Sequence, residues 1–165
     1  MKSLLIFLSI VPFLAAYANL GETVQDSYAH YGQPINHQGN TYAFRIGKWT
    51  IFEWVNPSTA KVAAIEYMLN YQDTKIGEAG YNELTGENIP RSYASDSMWN
   101  VTGYRMDSVL NNWFSTSESK DGVYYIEYDK SYTTNRKHFT AYLTIGFTYC
   151  KQKAATEWHT ERVPR

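Results

Sequence analysis

A single cysteine, Cys150, stands in the 165 residues, so no intramolecular disulfide can form. Stability must come from burial instead, and a chain of this length buries roughly two-thirds of the surface its unfolded form exposes. Clustered positive charge is missing too: 15 Lys and Arg are spread among 16 Asp and Glu, for a formal net charge of −1. Nucleic-acid binders carry an electropositive footprint, and proteins drawn to anionic lipid carry polybasic segments, so neither partner is expected. Beyond Leu14 no apolar run approaches the about 20 residues that a membrane-spanning helix needs.

Motifs that announce chemistry are also scarce. There is no G-x-S-x-G nucleophile elbow, and no H-E-x-x-H or C-x-x-C metal spacing. His30 and His37 lie on either side of a Gly-Gln-Pro turn, and His159 is isolated near the end. His138 and Cys150 fall in one extended segment, which holds them roughly 40 Å apart, too far for a dyad. Neither a metal nor a cofactor is expected. One chemistry stays open, a carboxylate pair of the glycosidase kind, because Glu53, Glu66 and Glu127 each sit between large apolar residues. On that reading the chain is a small periplasmic or secreted hydrolase.

What is present begins at the N-terminus. Lys2 supplies a positive start, Ser3 to Leu14 is an apolar stretch, and Ala16-Tyr17-Ala18 places small residues at the −3 and −1 positions. Together these have the form of a secretory signal peptide cleaved between Ala18 and Asn19. The expected product is exported, periplasmic or extracellular. Removing residues 1–18 takes away Lys2 and no acidic residue, so the net charge moves from −1 to −2. No Cys follows the apolar stretch to carry a lipid.

The next segment is punctuated as a helix over Val24–Tyr31. Thr23 can cap its start with Asp26 as the acidic partner of a capping box, and Gly32 and Pro34 end it. Val24, Tyr28 and Tyr31 share one face. After a polar turn at Asn36–Asn40 the period becomes extended: Thr41–Ile46 and Lys48–Val55 read as strands, and Asn56-Pro57-Ser58-Thr59 as a turn. Ala60–Leu69 is helix-like in its alanines and strand-like in Val62, Ile65 and Tyr67; the preceding strand needs a partner, so a strand is expected. A second, weaker helix is expected over Ile76–Glu87. Short strands follow at Met98–Tyr104 and Ser108–Phe114, a polar turn region at Ser115–Gly122, and a strand at Val123–Tyr128. Phe139–Cys150 alternates strictly, with Phe139, Ala141, Leu143, Ile145, Phe147 and Tyr149 on one side. Such alternation marks an antiparallel sheet with one solvated face. Lys151–Arg165 reads as a polar, frayed tail.

The fold class is therefore α+β: one domain over residues 19–150, with an antiparallel sheet of about five to seven strands and the two helices packed on one face. Val62–Tyr67 and Val123–Tyr128 share the pattern V-x-x-I-E-Y. This echo fits either two half-domains or chance likeness between strands. Asn100-Val101-Thr102 is a glycosylation sequon, relevant in a eukaryotic secretory pathway.

Gly21-x-Thr23 followed by Gly32-x-Pro34 resembles the first-helix signature of a group of small exported α+β modules. That group includes the small lipoprotein of the outer-membrane β-barrel assembly machinery and the β-lactamase inhibitor protein. The segment Lys61–Tyr67 is similar to the K-V-x-x-I-x-Y return strand of exported bacterial proteins of this type. The resemblance covers residues 20–69; Ser27 and His30 depart from it, standing where the pattern has aliphatic residues. It implies a binding or assembly module and brings no catalytic residues with it.

The remaining surplus is aromatic: 15 Tyr, all but Tyr17 beyond the leader, beside 5 Trp. Such residues serve half-buried sheets and interfaces alike. In Lys48–Val55, period two puts Trp49, Ile51 and Val55 on one side with Glu53, and Phe52 and Trp54 on the other. Apolar bulk on both sides needs two covers. The second cover is a helix, the C-terminal tail, or another molecule; in the last case Phe52 and Trp54 form the binding patch. The leading expectation is an exported, non-enzymatic binding or envelope-assembly module with a protein or polymer partner. Cys150, at the end of the alternating strand on its threonine side, is expected to be an exposed free thiol.

Overall fold

The first helix forms where its local chemistry directs it. In α1 (Val24–Tyr31) the Thr23 hydroxyl accepts the Asp26 N–H at 3.3 Å, and the Asp26 carboxylate accepts the Thr23 N–H at 2.9 Å. This reciprocal pair satisfies two of the donors that a helix start leaves open. At the other end Gly32, with φ of +80°, turns the chain away while its N–H reaches the Tyr28 carbonyl at 2.9 Å. A side chain with a Cβ is strained at such a φ.

The computed structural model describes residues 19–47, 49–71, 84–86, 88–107, 112–133 and 138–161. The leader at 1–18 lies outside them, as does most of the helix expected over Ile76–Glu87, of which a helical turn at 84–86 is described. Eight strands form one sheet: β1 (Asn36–Gln38), β2 (Thr41–Ile46), β3 (Trp49–Asn56), β4 (Lys61–Tyr71), β5 (Trp99–Asp107), β6 (Asn112–Ser119), β7 (Tyr124–Thr133) and β8 (His138–Phe147). Their order is β1-β2-β3-β4-β8-β7-β6-β5, with every neighbouring pair antiparallel. An α+β architecture on an antiparallel sheet thus stands, with more strands than expected. The additional strand is β1, three exposed polar residues inside what reads as a turn. Similarly, Ser115–Ser119 belongs to β6 rather than to a turn, because β5 and β7 supply backbone partners on both sides.

Both faces of the sheet carry a core. On the front, Phe44, Ile51, Val55, Ile65, Tyr67, Leu143 and Ile145 receive Val24, Tyr28 and Tyr31 from α1. The Tyr31 and Phe44 rings are 5.2 Å apart. Leu84 and Ile89, which lie between β4 and β5 in the chain, join this core as well. Asn88, buried within it, donates through Nδ2 to the Tyr67 hydroxyl at 3.0 Å and to the Leu84 carbonyl at 2.7 Å. Those bonds occupy both hydrogens of the amide nitrogen, a donor that burial would otherwise leave unpaired.

On the back lies a helix where a frayed tail was expected. After β8 a 3-10 turn at Thr148–Cys150 leads into α2 (Lys151–Glu161). Cys150, Ala154 and Trp158 recur every fourth position, one stripe of a 3.6-residue helix, and pack on Ala43, Phe52, Trp54, Ala63 and Ala64. Burying an aromatic of this kind contributes roughly 2–3 kcal/mol, which outweighs the polarity of the remaining α2 surface. α1 and α2 therefore cover opposite faces, while Leu84, from the described turn of the second expected helix, packs on the front with α1. Gly146 fits this back face for lack of a side chain: a Cβ there would stand 2.7 Å from the Tyr125 ring and 2.9 Å from the Ala64 methyl. The face of β8 expected to be solvated is likewise covered in part, since Thr144 is buried.

Register across β8 accounts for the echo between β4 and β7. Ile65 and Ile126 both lie opposite Ile145, Glu66 and Glu127 opposite Thr144, and Tyr67 and Tyr128 opposite Leu143.

Candidate functional site

Phe52 and Trp54 do not form an exposed patch. They keep only 9% and 2% of their surface, beneath Ala154 and Trp158 of α2. The cover is the chain's own C-terminal segment. Two polar clasps hold it there. Near its start the Lys151 ammonium lies 3.3 Å from the Glu118 carboxylate and 5.2 Å from the centre of the Tyr125 ring. Near its end the Glu157 carboxylate accepts the Asn40 backbone N–H and its Nδ2, each at 3.2 Å. Burial alone would raise the Glu157 carboxyl; the Trp54 indole, the Asn40 donors and the Thr41 hydroxyl together hold it below its ordinary value.

Cys150 is not an exposed thiol either. The strand alternation stops at Phe147, and the following 3-10 turn rotates Cys150 under α2, where it is fully buried. Its thiol donates to the Ala63 and Phe147 carbonyls at 3.2 and 3.0 Å. Burial pushes it up to about 11, against the weaker pull of its backbone hydrogen bonds, which disfavours the reactive thiolate.

The three strand glutamates do not surround a common space. Glu53 lies opposite Ile65, and Phe52 opposite Glu66, so Glu53 points to the front and Glu66 to the back. Both are fully buried. Beneath α1, burial pushes the Glu53 carboxyl up to about 7; the Ser27 hydroxyl opposes that shift and the Glu22 charge adds to it. Glu66 takes a 3.3 Å hydrogen bond from the Thr144 hydroxyl, and Glu127 flanks Thr144 on the other side. The best-formed surface depressions among the described residues are shallow. One lies on α2 around Gln152, Lys153, Thr156 and Glu157, and one on the back of β5–β7 around Gly103, Arg105, Phe114 and Asp129. Neither contains Glu53, Glu66 or Glu127. Among the described residues no three His, Cys, Asp or Glu side chains are placed to hold a metal ion.

Exposed apolar surface collects elsewhere, on the ribbon of β5 and β6. Val101, Tyr104, Met106 and Trp113 are 70%, 62%, 59% and 40% exposed. Register puts all four on the front: Val101 is opposite Ser117, Tyr104 opposite Ser115 and Met106 opposite Trp113. The Tyr104 hydroxyl reaches the Met106 sulfur at 3.4 Å, and Trp113 stands edge-on to Tyr128 at 4.7 Å. Arg105 and Asp107 project from the other side of the same strand, both exposed.

The ribbon also ends the sheet. β5 is outermost among the described strands, so no described strand lies along one side of its nine-residue backbone. At the opposite edge β1 offers three polar residues. Sequence reasoning placed the aromatic surface on β3 and passed over β5, whose apolar residues are interrupted by Thr102, Gly103 and Arg105. The bulge between Val101 and Gly103 is the reason: it brings Val101 and Tyr104, three positions apart, to one face. No protein-family model matches the chain, and no curated protein or solved structure matches it either.

Proposed function

We infer that this chain is an exported, non-enzymatic binding or envelope-assembly module, and that it docks its partner on the β5–β6 ribbon. One observation carries the reading: Val101, Tyr104, Met106 and Trp113 gather on one face of a ribbon whose outer edge pairs with no other described strand. Contiguous apolar exposure marks interaction sites, and aromatic and methionine side chains are the residues that interfaces enrich. An open edge adds a second means of recognition, because an extended partner can pair with it as a further strand. The resemblance of residues 20–69 to small exported binding modules agrees with this.

The test compares capture from the source envelope fraction by the native chain and by a Tyr104→Ser/Trp113→Ser variant. Both residues are exposed, so the thermal midpoint should hold while the captured species are lost. Unchanged capture would remove the ribbon from consideration. Export is read from the N-terminus of the recovered protein. Asn19 as first residue supports cleavage after Ala18, and a species retaining Met1 outside the cytoplasm contradicts it.

A further inference from the structure

We propose that the β5 edge takes up an extended segment of another protein as a further strand, and that it selects a segment carrying one Asp or Glu between two apolar residues. The proposal rests on the ribbon being the docking surface and names what docks there.

Seven of the nine β5 residues are exposed, and no described strand runs along their outer side. Past the bulge, the five residues Gly103–Asp107 pair with β6 in unbroken register, so their backbone is straight enough to continue the ladder. Side chains alternate along it: Tyr104 and Met106 stand on the front beside Trp113, and Arg105 stands on the back. An added strand sets one residue opposite each of these, on the same face. Its two front residues extend the apolar surface, and the residue between them meets the guanidinium.

Arg105 decides which strands are admitted. Among the described residues it takes part in no ion pair. Its acidic neighbours on the back, Asp107 and Asp129, have partners of their own. A strand added here brings a side chain to about 5 Å from Arg105 and displaces part of its water. An apolar side chain in that place leaves the charge uncompensated, and Lys or Arg repels it. A carboxylate offsets the lost hydration. A charge on an open edge keeps apolar strands away, and the same charge makes the edge selective, because specificity is gained by rejecting the wrong partner as well as by holding the right one.

The required triplet occurs three times within this chain, as Phe52-Glu53-Trp54, Ile65-Glu66-Tyr67 and Ile126-Glu127-Tyr128. These lie in β3, β4 and β7, each of which has a strand on both sides, so a folded copy presents none of them. The segment therefore comes from a different protein. A saccharide or an acyl chain covers the rings but brings no row of amides to the edge.

The test titrates the purified chain with two nine-residue peptides, followed by NMR. They share Ser and Thr flanks and are centred on Val-Glu-Val or Val-Lys-Val. The Glu peptide should bind at least about fivefold more tightly, the swing of one cross-strand charge pair, with shift changes centred on Gly103–Asp107. Arg105→Glu, at an exposed position, should keep the thermal midpoint and reverse the order of the two peptides. Only alternate residues of a strand turn their N–H toward a given neighbour. N-methylation of one alternate set in the Glu peptide should therefore abolish binding, and methylation of the other set should leave it within about twofold. An absent preference for Glu, an order that Arg105→Glu does not reverse, or indifference to both methylations overturns the proposal. So does binding by neither peptide. In each of these cases the docking surface stands if Tyr104→Ser/Trp113→Ser still loses envelope capture; unchanged capture removes both.

Discussion

Asn40 and Glu157, 117 positions apart in the chain, are joined by two hydrogen bonds that close the C-terminal helix over the back of the sheet. The clasp sits at the rim of the α2 core, beside Trp54. Glu157→Ala removes a charged acceptor from two donors and is expected to lower stability by about 1 kcal/mol. Hydrogen exchange in α2 should rise while that of β8 stays unchanged, because the helix can lift without the sheet opening. Equal acceleration in both would mean that α2 and the sheet open as one unit.

Trp54→Ala tests the burial of the back face itself. Truncating an enclosed aromatic costs about 3–5 kcal/mol, and denaturant unfolding should show a loss of that size. Tyr104→Ser, on the exposed ribbon, should change stability by less than about 0.5 kcal/mol. A Trp54→Ala variant as stable as the native chain would place this side chain outside the core.

Glu53 should give the protein a pH-dependent stability with an unusual sign for a carboxylate. Its folded value of about 7 lies above the ordinary 4.5, so the folded state holds the proton more tightly than the unfolded one. Stability from this group is complete below about pH 4.5, falls as pH rises, and is gone above about 7. The total is about 3 kcal/mol. Glu53→Gln should flatten this slope and leave the protein more stable than native at pH 8. Denaturant midpoints from pH 4 to 8 measure it, and a native profile that rises through that window contradicts the burial of a protonated Glu53.

Cys150 should resist thiol reagents. Enclosure beneath α2 and a thiol pushed up to about 11 both suppress attack. Labelling of the native chain at pH 8 should run more than about tenfold slower than in denaturant, and Glu157→Ala should recover part of the rate by loosening the cover. Equal rates in native and unfolded protein would sink the assignment.

Legibility in the sequence tracked how local each determinant is. The bounds of α1 follow from Thr23, Asp26, Gly32 and Pro34, all within one or two turns of the helix, and β2 from a run of strand formers ended by Gly47. The second half of β6 escaped because Ser115, Thr116, Ser117 and Ser119 speak for a turn, and only neighbouring strands make them a strand. The stripe Cys150, Ala154 and Trp158 was readable at its spacing of four, but the polar majority of Lys151–Glu161 obscured it. That one omission left Cys150 exposed in the expectation and the cover over Phe52 and Trp54 open among a helix, the tail and another molecule; the structure buries all three under α2. The echo of Val62–Tyr67 in Val123–Tyr128 is a shared environment and not a repeated half-domain. β4 and β7 run the same way and share faces, so only a sideways translation relates them. That translation carries β3 onto β8 and not onto β6, so the two three-stranded meanders do not superpose.

The position of β8 between β4 and β7 governs when this chain can become a protein at all. The strand that unites the sheet comes from residues 138–147, and the helix that seals its back from 151–161. Before they are synthesised, β4 and β7 are two unjoined margins, and Trp54 faces water. Closure therefore waits for contacts that span 78 positions between Glu66 and Thr144 and 117 between Asn40 and Glu157. Topologies dominated by such distant pairings fold in milliseconds to seconds, not microseconds. A ribosome-bound chain lacking the last segment would hold little stable tertiary structure, and deletion from residue 138 onward should abolish cooperative unfolding instead of trimming its midpoint.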